Sequence, residues 1–321
     1  MSTFAVKGLP WTVLRLHRTA LLVWGAGLLA ATITLIRMYA IGDDARAFAG
    51  PCGSPGTSLA SCLEITELTV DDTYRDTLSQ VATVLSYLMF PVAAWAGGAL
   101  IGREMENGTA QLNWTQSVSP ARWLTAKLAL PALLLATGTT TAVLLNVWAH
   151  QDGDPNLVGD WYYPDVFVST GPVAVAYVLA GLSLGALAGL LTRRALAGAG
   201  VGFAVTLALY NLLERYREDL WPAQTVIGRA ALNQPRSALQ IDRGAITAEG
   251  QEENGVFACV DSDSLADLEK CKAATGLTDF WATQHPRSHF WPLQFVESGI
   301  VLALSAVAVL TAFLVLRRRT P

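Results

Sequence analysis

Apolar residues in this chain come in long runs separated by polar stretches. A helix rises about 1.5 Å per residue, so crossing about 30 Å of hydrocarbon takes roughly 20 apolar residues. Six runs reach that length: 19–38, 78–101, 125–148, 171–191, 195–213 and 293–316. The charges inside them are Arg37 and Lys127, each near a span end, and Glu297 about one turn into the last run. The pattern predicts an all-α integral membrane protein with six transmembrane helices. The first run lacks a small-residue cleavage pattern and exceeds a signal peptide in length, so it is expected to stay in the mature protein.

The polar stretches set the direction. With both termini cytoplasmic, the short inner segments hold Lys7, Arg15, Arg18, Arg103, Arg122, Lys127, Arg193, Arg194 and Arg317 to Arg319, against only Glu104 and Glu106 as acids. Basic residues concentrate on the cytoplasmic side of membrane proteins. The outer segments are longer and acidic, and the stretch after the fifth span is large enough to fold on its own. The organisation is therefore 1–213, an N-terminal interfacial helix and helices 1–5 with an inner segment at 102–124; 214–292, an extracellular domain; and 293–321, helix 6 with a basic cytoplasmic tail. Within 214–292 a helix is expected from Ser264 to Ala274, with Ser264 as its cap. Phe280, Trp281, Phe290 and Trp291 are expected to form an aromatic belt at the membrane surface. That domain reads either as a cap over the bundle or as a lid or receptor.

Composition agrees with the patterning. Of 321 residues 52% are hydrophobic and 15% charged, against about 25% charged in soluble domains. This excludes a soluble enzyme and a disordered chain. A net charge of −4 gives no reason to expect a nucleic-acid partner. The basic residues are 18 Arg and 4 Lys, a bias of high-GC bacterial coding, and a bacterial plasma membrane is the expected location. Cys52 and Cys62 fall in the first outer loop and Cys259 and Cys271 in the third, where disulfides persist. Two local bridges, a bridge between the loops and free thiols all stand as readings, because connectivity is not deducible from sequence. Neither pair has zinc-ligand spacing, and no metal site is expected.

Candidate chemistry is sparse. None of Lys7, Lys127, Lys270 and Lys272 follows a glycine, so the chain lacks the lysine and backbone cradle of a Walker A loop. It is not expected to be an enzyme. His17, His150, His285 and His289 are read as scattered, solvated or interfacial residues. Tyr87, Phe90, Trp95, Tyr210, Asn211 and Glu297, with Asn146 and Tyr177, are candidates for lining a path through the spans. Glu297 reads either as structural or as part of a gate. Gly181, Gly185 and Gly189 form a doubled G-x-x-x-G in the fourth span, and Gly198 and Gly202 repeat the spacing in the fifth. Such stripes let helices approach closely, within one chain or between subunits.

The conspicuous inner feature is 102–124, GREMENGTAQLNWTQSVSPARWL. Arg103, Glu104 and Glu106 follow the second span directly, Gly108 breaks the helix, Thr109 opens another, and Pro120 ends the region. A connection between antiparallel spans needs only a few residues, so twenty-odd suggest a short interfacial helix with a docking surface. With Trp114 to Val118, Arg122 to Leu124 and Lys127, and with Pro286, Arg287, Phe290, Trp291, Gln294 and Glu297 before the last span, the chain resembles permease subunits of ABC-2 type (type V) exporters, actinobacterial branch.

That resemblance implies an assembly of two permeases, identical or paralogous, with two separate ATPase subunits that bind ATP and Mg. It implies a coupling helix at 109–116, so that Arg103, Glu104, Glu106, Gly108, Thr109, Leu112, Trp114 and Gln116 transmit motion from the ATPase. Membrane lipid is the remaining expected partner, and no cofactor is expected in this chain. The implied function is export of an amphipathic or hydrophobic substrate, a drug, natural product, lipid or peptide. The alternative is a sensor or immunity protein binding an antimicrobial peptide or lipid-linked ligand through 214–292. An importer permease would carry an E-A-A signature, which the chain lacks, and a membrane enzyme would need clustered catalytic groups.

Overall fold

The computed structural model describes residues 15–48, 69–115, 118–151, 160–232, 234–235, 237–254, 259 and 265–319. The expected interfacial stretch up to Leu14, the Cys52 and Cys62 pair, Gln116 and the Ser264 cap lie outside the described residues. The chain divides into two compact units. One holds the chain up to Gly159, Tyr163–Glu214 and Glu297–Pro321; the other holds Asp160–Tyr162 and Arg215–Val296.

The first unit is helical. Six helices are long and apolar enough to cross a membrane: Arg18–Ala40, Thr73–Glu106, Pro120–His150, Val173–Thr192, Ala195–Arg215 and Arg287–Arg318. These are spans 1 to 6. Span 1 is the start of helix α1 (Arg18–Phe48). Span 2 is composite: α2 (Thr69–Tyr87), α3 (Met89–Trp95), a π-helical stretch (Ala96–Gly102) and α4 (Arg103–Glu106) follow without a break. A short helix α5 (Thr109–Thr115) comes next, then α6 (Pro120–Gln151) as span 3. Helix α7 (Pro164–Ser169) precedes α8 (Val173–Thr192) and α9 (Ala195–Arg215), spans 4 and 5.

Burial ranks the spans. In its most apolar stretch span 4 is 78% buried and span 1 only 6%, so span 4 is the core and span 1 lies at the periphery. Lipid offers no hydrophobic drive between apolar helices, so close packing must hold the core. The glycines supply it. A Cβ added at Gly181, Gly185 or Gly189 would lie 2.4, 2.2 or 2.6 Å from the carbonyl oxygens of Met89, Ala93 and Gly97. Gly198 of span 5 meets the same Gly97 carbonyl, at 2.4 Å. Spans 2, 4 and 5 thus touch backbone to backbone, and the glycine stripes pack within the chain.

Several hydroxyls inside the spans are satisfied by the carbonyl one turn back. Thr206 Oγ1 donates to the Gly202 carbonyl and Ser305 Oγ to that of Val301, at 2.9 and 2.8 Å, which is how apolar helices tolerate them. Asn146 of span 3 donates to the Ser169 carbonyl at 3.1 Å, and Ser86 of span 2 to that of Asp165 at 3.0 Å. These two bonds fasten α7 to the end of the bundle remote from Arg103.

The second unit corrects the all-α expectation. It contains an antiparallel sheet of β1 (Gln224–Ile227), β2 (Leu239–Thr247), β3 (Glu252–Asn254) and β4 (Leu277–His285), ordered β1-β4-β2-β3. Central β4 is rich in Thr and aromatic residues, types that fit a pleated, half-buried surface. Phe280 and Trp281 are 3% and 6% exposed. They belong to this sheet and not to an aromatic belt, while Trp291, at 54%, remains on the surface. Short helix α10 (Arg229–Leu232) and α11 (Leu265–Thr275) supply Ala231 and Leu268 to the same core. A disulfide joins Cys259 to Cys271 of α11, one of the local pairings open from sequence. Trp161 donates from Nε1 to the Ser237 carbonyl at 2.7 Å, recruiting residues from before span 4. Helix α12 (Phe290–Arg319) carries span 6.

Candidate functional site: the segment from Arg103 to Lys127

Span 2 ends at Glu106, and Gly108 reverses the chain with φ +70°, a conformation that costs an L side chain about 1 kcal/mol or more. Thr109 Oγ1 then donates to the Glu104 carbonyl at 3.3 Å, tying α5 back to α4. Only Ala110 of α5 is buried. Leu112 is 57% exposed, and Gln111 and Asn113 are exposed beside it. Trp114 turns inward and meets Trp123 edge-on, ring centroids 5.7 Å apart.

The two acids hold this segment to the spans. Glu104 Oε1 accepts from Lys127 Nζ at 2.5 Å and Oε2 from Trp123 Nε1 at 3.1 Å. The pair is buried, with side-chain exposure of 4% for Lys127 and 12% for Glu104. Lys127 Nζ also lies 3.3 Å from Nε2 of His17, the residue just before span 1. Burial first, and the Lys127 charge second, hold the His17 pKa down to about 4, with Glu104 opposing. His17 is therefore neutral near pH 7 and accepts from the ammonium. Glu106 Oε2 accepts from the backbone N–H of Ala195 at 2.8 Å, placing a carboxylate on the N-terminus of span 5, where orphan donors and the helix dipole favour it. The end of span 2 is thus bonded directly to spans 3 and 5, and Lys127 of span 3 carries the chain of contacts on to His17 beside span 1.

The residues proposed for a path separate into groups. Tyr87, Phe90 and Tyr210 form one aromatic cluster with Tyr177 and Phe203, neighbouring centroids 5.5–5.9 Å apart. Tyr177 donates to Glu297 Oε1 at 2.7 Å. Glu297 is fully buried, and its partner is 120 residues away. Trp95 stands apart, edge-on to His17 at 5.5 Å. Asn211 is exposed and donates to the Leu207 carbonyl at 2.8 Å, so it adds nothing to the cluster.

The family model described as ABC-2 membrane transporter related matches residues 18–217. The chain belongs to that family. Family membership, with six apolar helices, makes it a multi-pass membrane permease of the ABC-2 type and sets it in the context of an ABC transporter. The ABC-2 match ends within a few residues of the point where the second unit begins at Arg215, so 218–321 lie outside it. No curated protein and no solved structure matches the chain significantly.

Two features of this ABC-2 permease escaped the sequence reading. His285 and His289, read as scattered, meet Nδ1 to Nδ1 at 2.9 Å. His285 Nε2 lies 2.9 Å from the Glu218 carbonyl and His289 Nε2 3.2 Å from Gln224 Nε2. With Gln224 donating to His289, His289 to His285 and His285 to the carbonyl, two neutral rings satisfy the chain of bonds. The H-x₃-H spacing across Pro286 was the available signal. Among the described residues no group of three or more His, Cys, Asp or Glu is placed to hold a metal. The second feature is the bond from Glu106 to Ala195, for which the sequence holds no signal.

Proposed function

We propose that the chain is the permease subunit of an ATP-driven exporter, with α5 as the helix that docks a separate ATPase. The observation that carries this reading is that an exposed-faced helix is tied to a segment bonded directly to spans 3 and 5 and, through Lys127, to His17 beside span 1. A displacement of α5 reaches span 3 through Glu104–Lys127, span 1 through His17, and span 5 through Glu106–Ala195. Two ATPase subunits binding ATP and Mg, closing together, then rock two permeases, identical or paralogous, between access states. The chain itself hydrolyses nothing. In this reading the termini and α5 are cytoplasmic, the second unit is extracellular, and the membrane is bacterial. The aromatic cluster with Glu297 is the polar-aromatic part of the substrate path, suited to an amphipathic or hydrophobic cargo.

Co-purification from native membranes in mild detergent, with ATPase assay of the complex, tests it. An ATP-binding subunit at near-equal stoichiometry is expected. A Gly108→Pro variant, which cannot adopt φ +70°, is expected to assemble but to lose substrate stimulation of hydrolysis. Export at the wild-type rate by that variant sinks the role of α5. A second reading draws on the separate core and disulfide of the second unit, whose residues 218–296 lie outside the family match. If the full-length protein binds an antimicrobial peptide or a lipid-linked precursor and no ATPase accompanies it, a sensor or immunity role replaces export.

A further inference from the structure

Spans 1, 2 and 3 enclose a groove of about 1040 Å³, at the upper end of ordinary ligand pockets. Its walls are apolar along span 1 from Ala20 to Ala31, span 2 from Val84 to Ala99 and span 3 from Leu130 to Ala142, with Trp24 and Trp95 among them. The other polar lining groups all lie at one end, from His17 just before span 1 and Thr19 within it across to Arg103, Glu104, Asn107, Thr109 and Asn113. The lining of span 1 from Leu16 to Ala31 covers about 22 Å at 1.5 Å per residue, longer than half of a hydrocarbon core of about 30 Å. Leu16, Val23 and Val84 in that lining are 58%, 74% and 65% exposed, so the groove opens sideways from the bundle.

Of the charged groups lining the polar end, Arg103 is the one with no partner among the described residues. Both carboxylate oxygens of Glu104 are taken by Lys127 and Trp123, and His17 is held neutral. Arg103 is exposed, and its guanidinium has no hydrogen-bond or ion-pair partner among the described residues, nor have the side-chain amides of Asn107 and Asn113. A second copy of the chain offers little to these donors. The acids it carries at this level are Glu104 and Glu106, and Glu106 is spent on Ala195. What fits is a ligand with a long apolar body and an anionic head at the level where a span leaves hydrocarbon.

We propose that this groove binds a membrane phospholipid with an anionic headgroup, its acyl chain along spans 1 to 3 and its phosphate on Arg103, with Asn107 and Asn113 donating beside it. Arginine matches phosphate oxygens through paired donors. The bound lipid sits against α4 and the first turns of α5 and fills space that apolar side chains leave open.

Native mass spectrometry of the full-length protein tests this, after exchange into detergent with equal phosphatidylglycerol and phosphatidylcholine. About one phosphatidylglycerol per chain is expected to survive detergent washing. Arg103→Gln is expected to lower the preference for the anionic lipid about tenfold, the loss of one charge-assisted contact, and Arg103→Lys to restore part of it. Ala99→Trp, or Val84→Trp at the rim should the first not fold, is expected to displace either lipid. Equal retention of both lipids by the wild type overturns the proposal, as does retention unchanged by Arg103→Gln and by a groove-filling tryptophan. A cross-link from a cysteine at Ala31 to a second copy also overturns it. These readouts need no ATPase, so they stand or fall apart from the export reading.

Discussion

Glu104 is the residue on which most of the segment's bonding converges, and its environment dictates what its loss does. It is a buried carboxylate with two donors, one of them a buried ammonium. Removing one member of such a pair strands the other charge, which typically costs about 3–5 kcal/mol. Glu104→Gln is therefore expected to lower thermal stability in detergent strongly, whereas Arg103→Gln, at an exposed side chain with no hydrogen-bond or ion-pair partner among the described residues, is expected to leave it nearly unchanged. Melting curves of the two variants side by side check this. His17 makes a pH-dependent contribution of definite sign. Its folded pKa of about 4 lies below the ordinary 6.5, so the unfolded chain binds the proton more readily between those values. The stability His17 contributes is complete above about pH 6.5 and is lost as pH falls towards 4. His17→Gln is expected to flatten the dependence of melting temperature on pH in that window, and an unchanged slope would assign it to other groups.

At the scale of elements, the glycine contacts explain how spans 2, 4 and 5 come to touch backbone to backbone. A methyl at Gly185 would sit 2.2 Å from the Ala93 carbonyl oxygen and 3.0 Å from its carbon. Both are backbone atoms, so the helices must part. Gly185→Ala is expected to destabilise by about 1–3 kcal/mol, the usual range for overpacking. Gly200, in span 5, has nothing within 4 Å of an added Cβ, and Gly200→Ala is expected to be neutral or slightly stabilising through helix propensity. Equal effects at the two sites would show that the contact does not matter. The π-helical stretch Ala96–Gly102 lies where these contacts end and the Glu104 network begins. Its extra residue shifts the phase of α4 relative to α3 by about 100°.

The whole molecule is a membrane unit matched by its family up to residue 217 and a second unit with its own sheet, core and disulfide. Cys259→Ser removes a bridge across 12 residues, and loops of that size contribute about 2–4 kcal/mol. The expected result is faster proteolysis within 215–296 while the helical unit keeps its melting temperature. A matching loss in both units would mean that they unfold as one.

What the sequence determined by itself is what depends on one stretch of chain at a time. A span needs about 20 apolar residues whatever its neighbours are, so all six runs reappear as helices, with spans 1, 2, 3 and 6 extending beyond the apolar run at both ends. The break at Gly108, the helix after it and the helix at 265–275 were legible for the same local reason. Tertiary structure alone decided the pairings. Glu106 caps a helix 89 residues away, and Tyr177 reaches Glu297 across 120. The sheet threads β4 between β1 and β2, and its aromatic residues resemble a membrane belt until their partners are known. Hydropathy records whether a residue prefers water or an apolar surrounding. Which buried polar group meets which is set by the phase and separation of distant helices, and no local pattern carries that information.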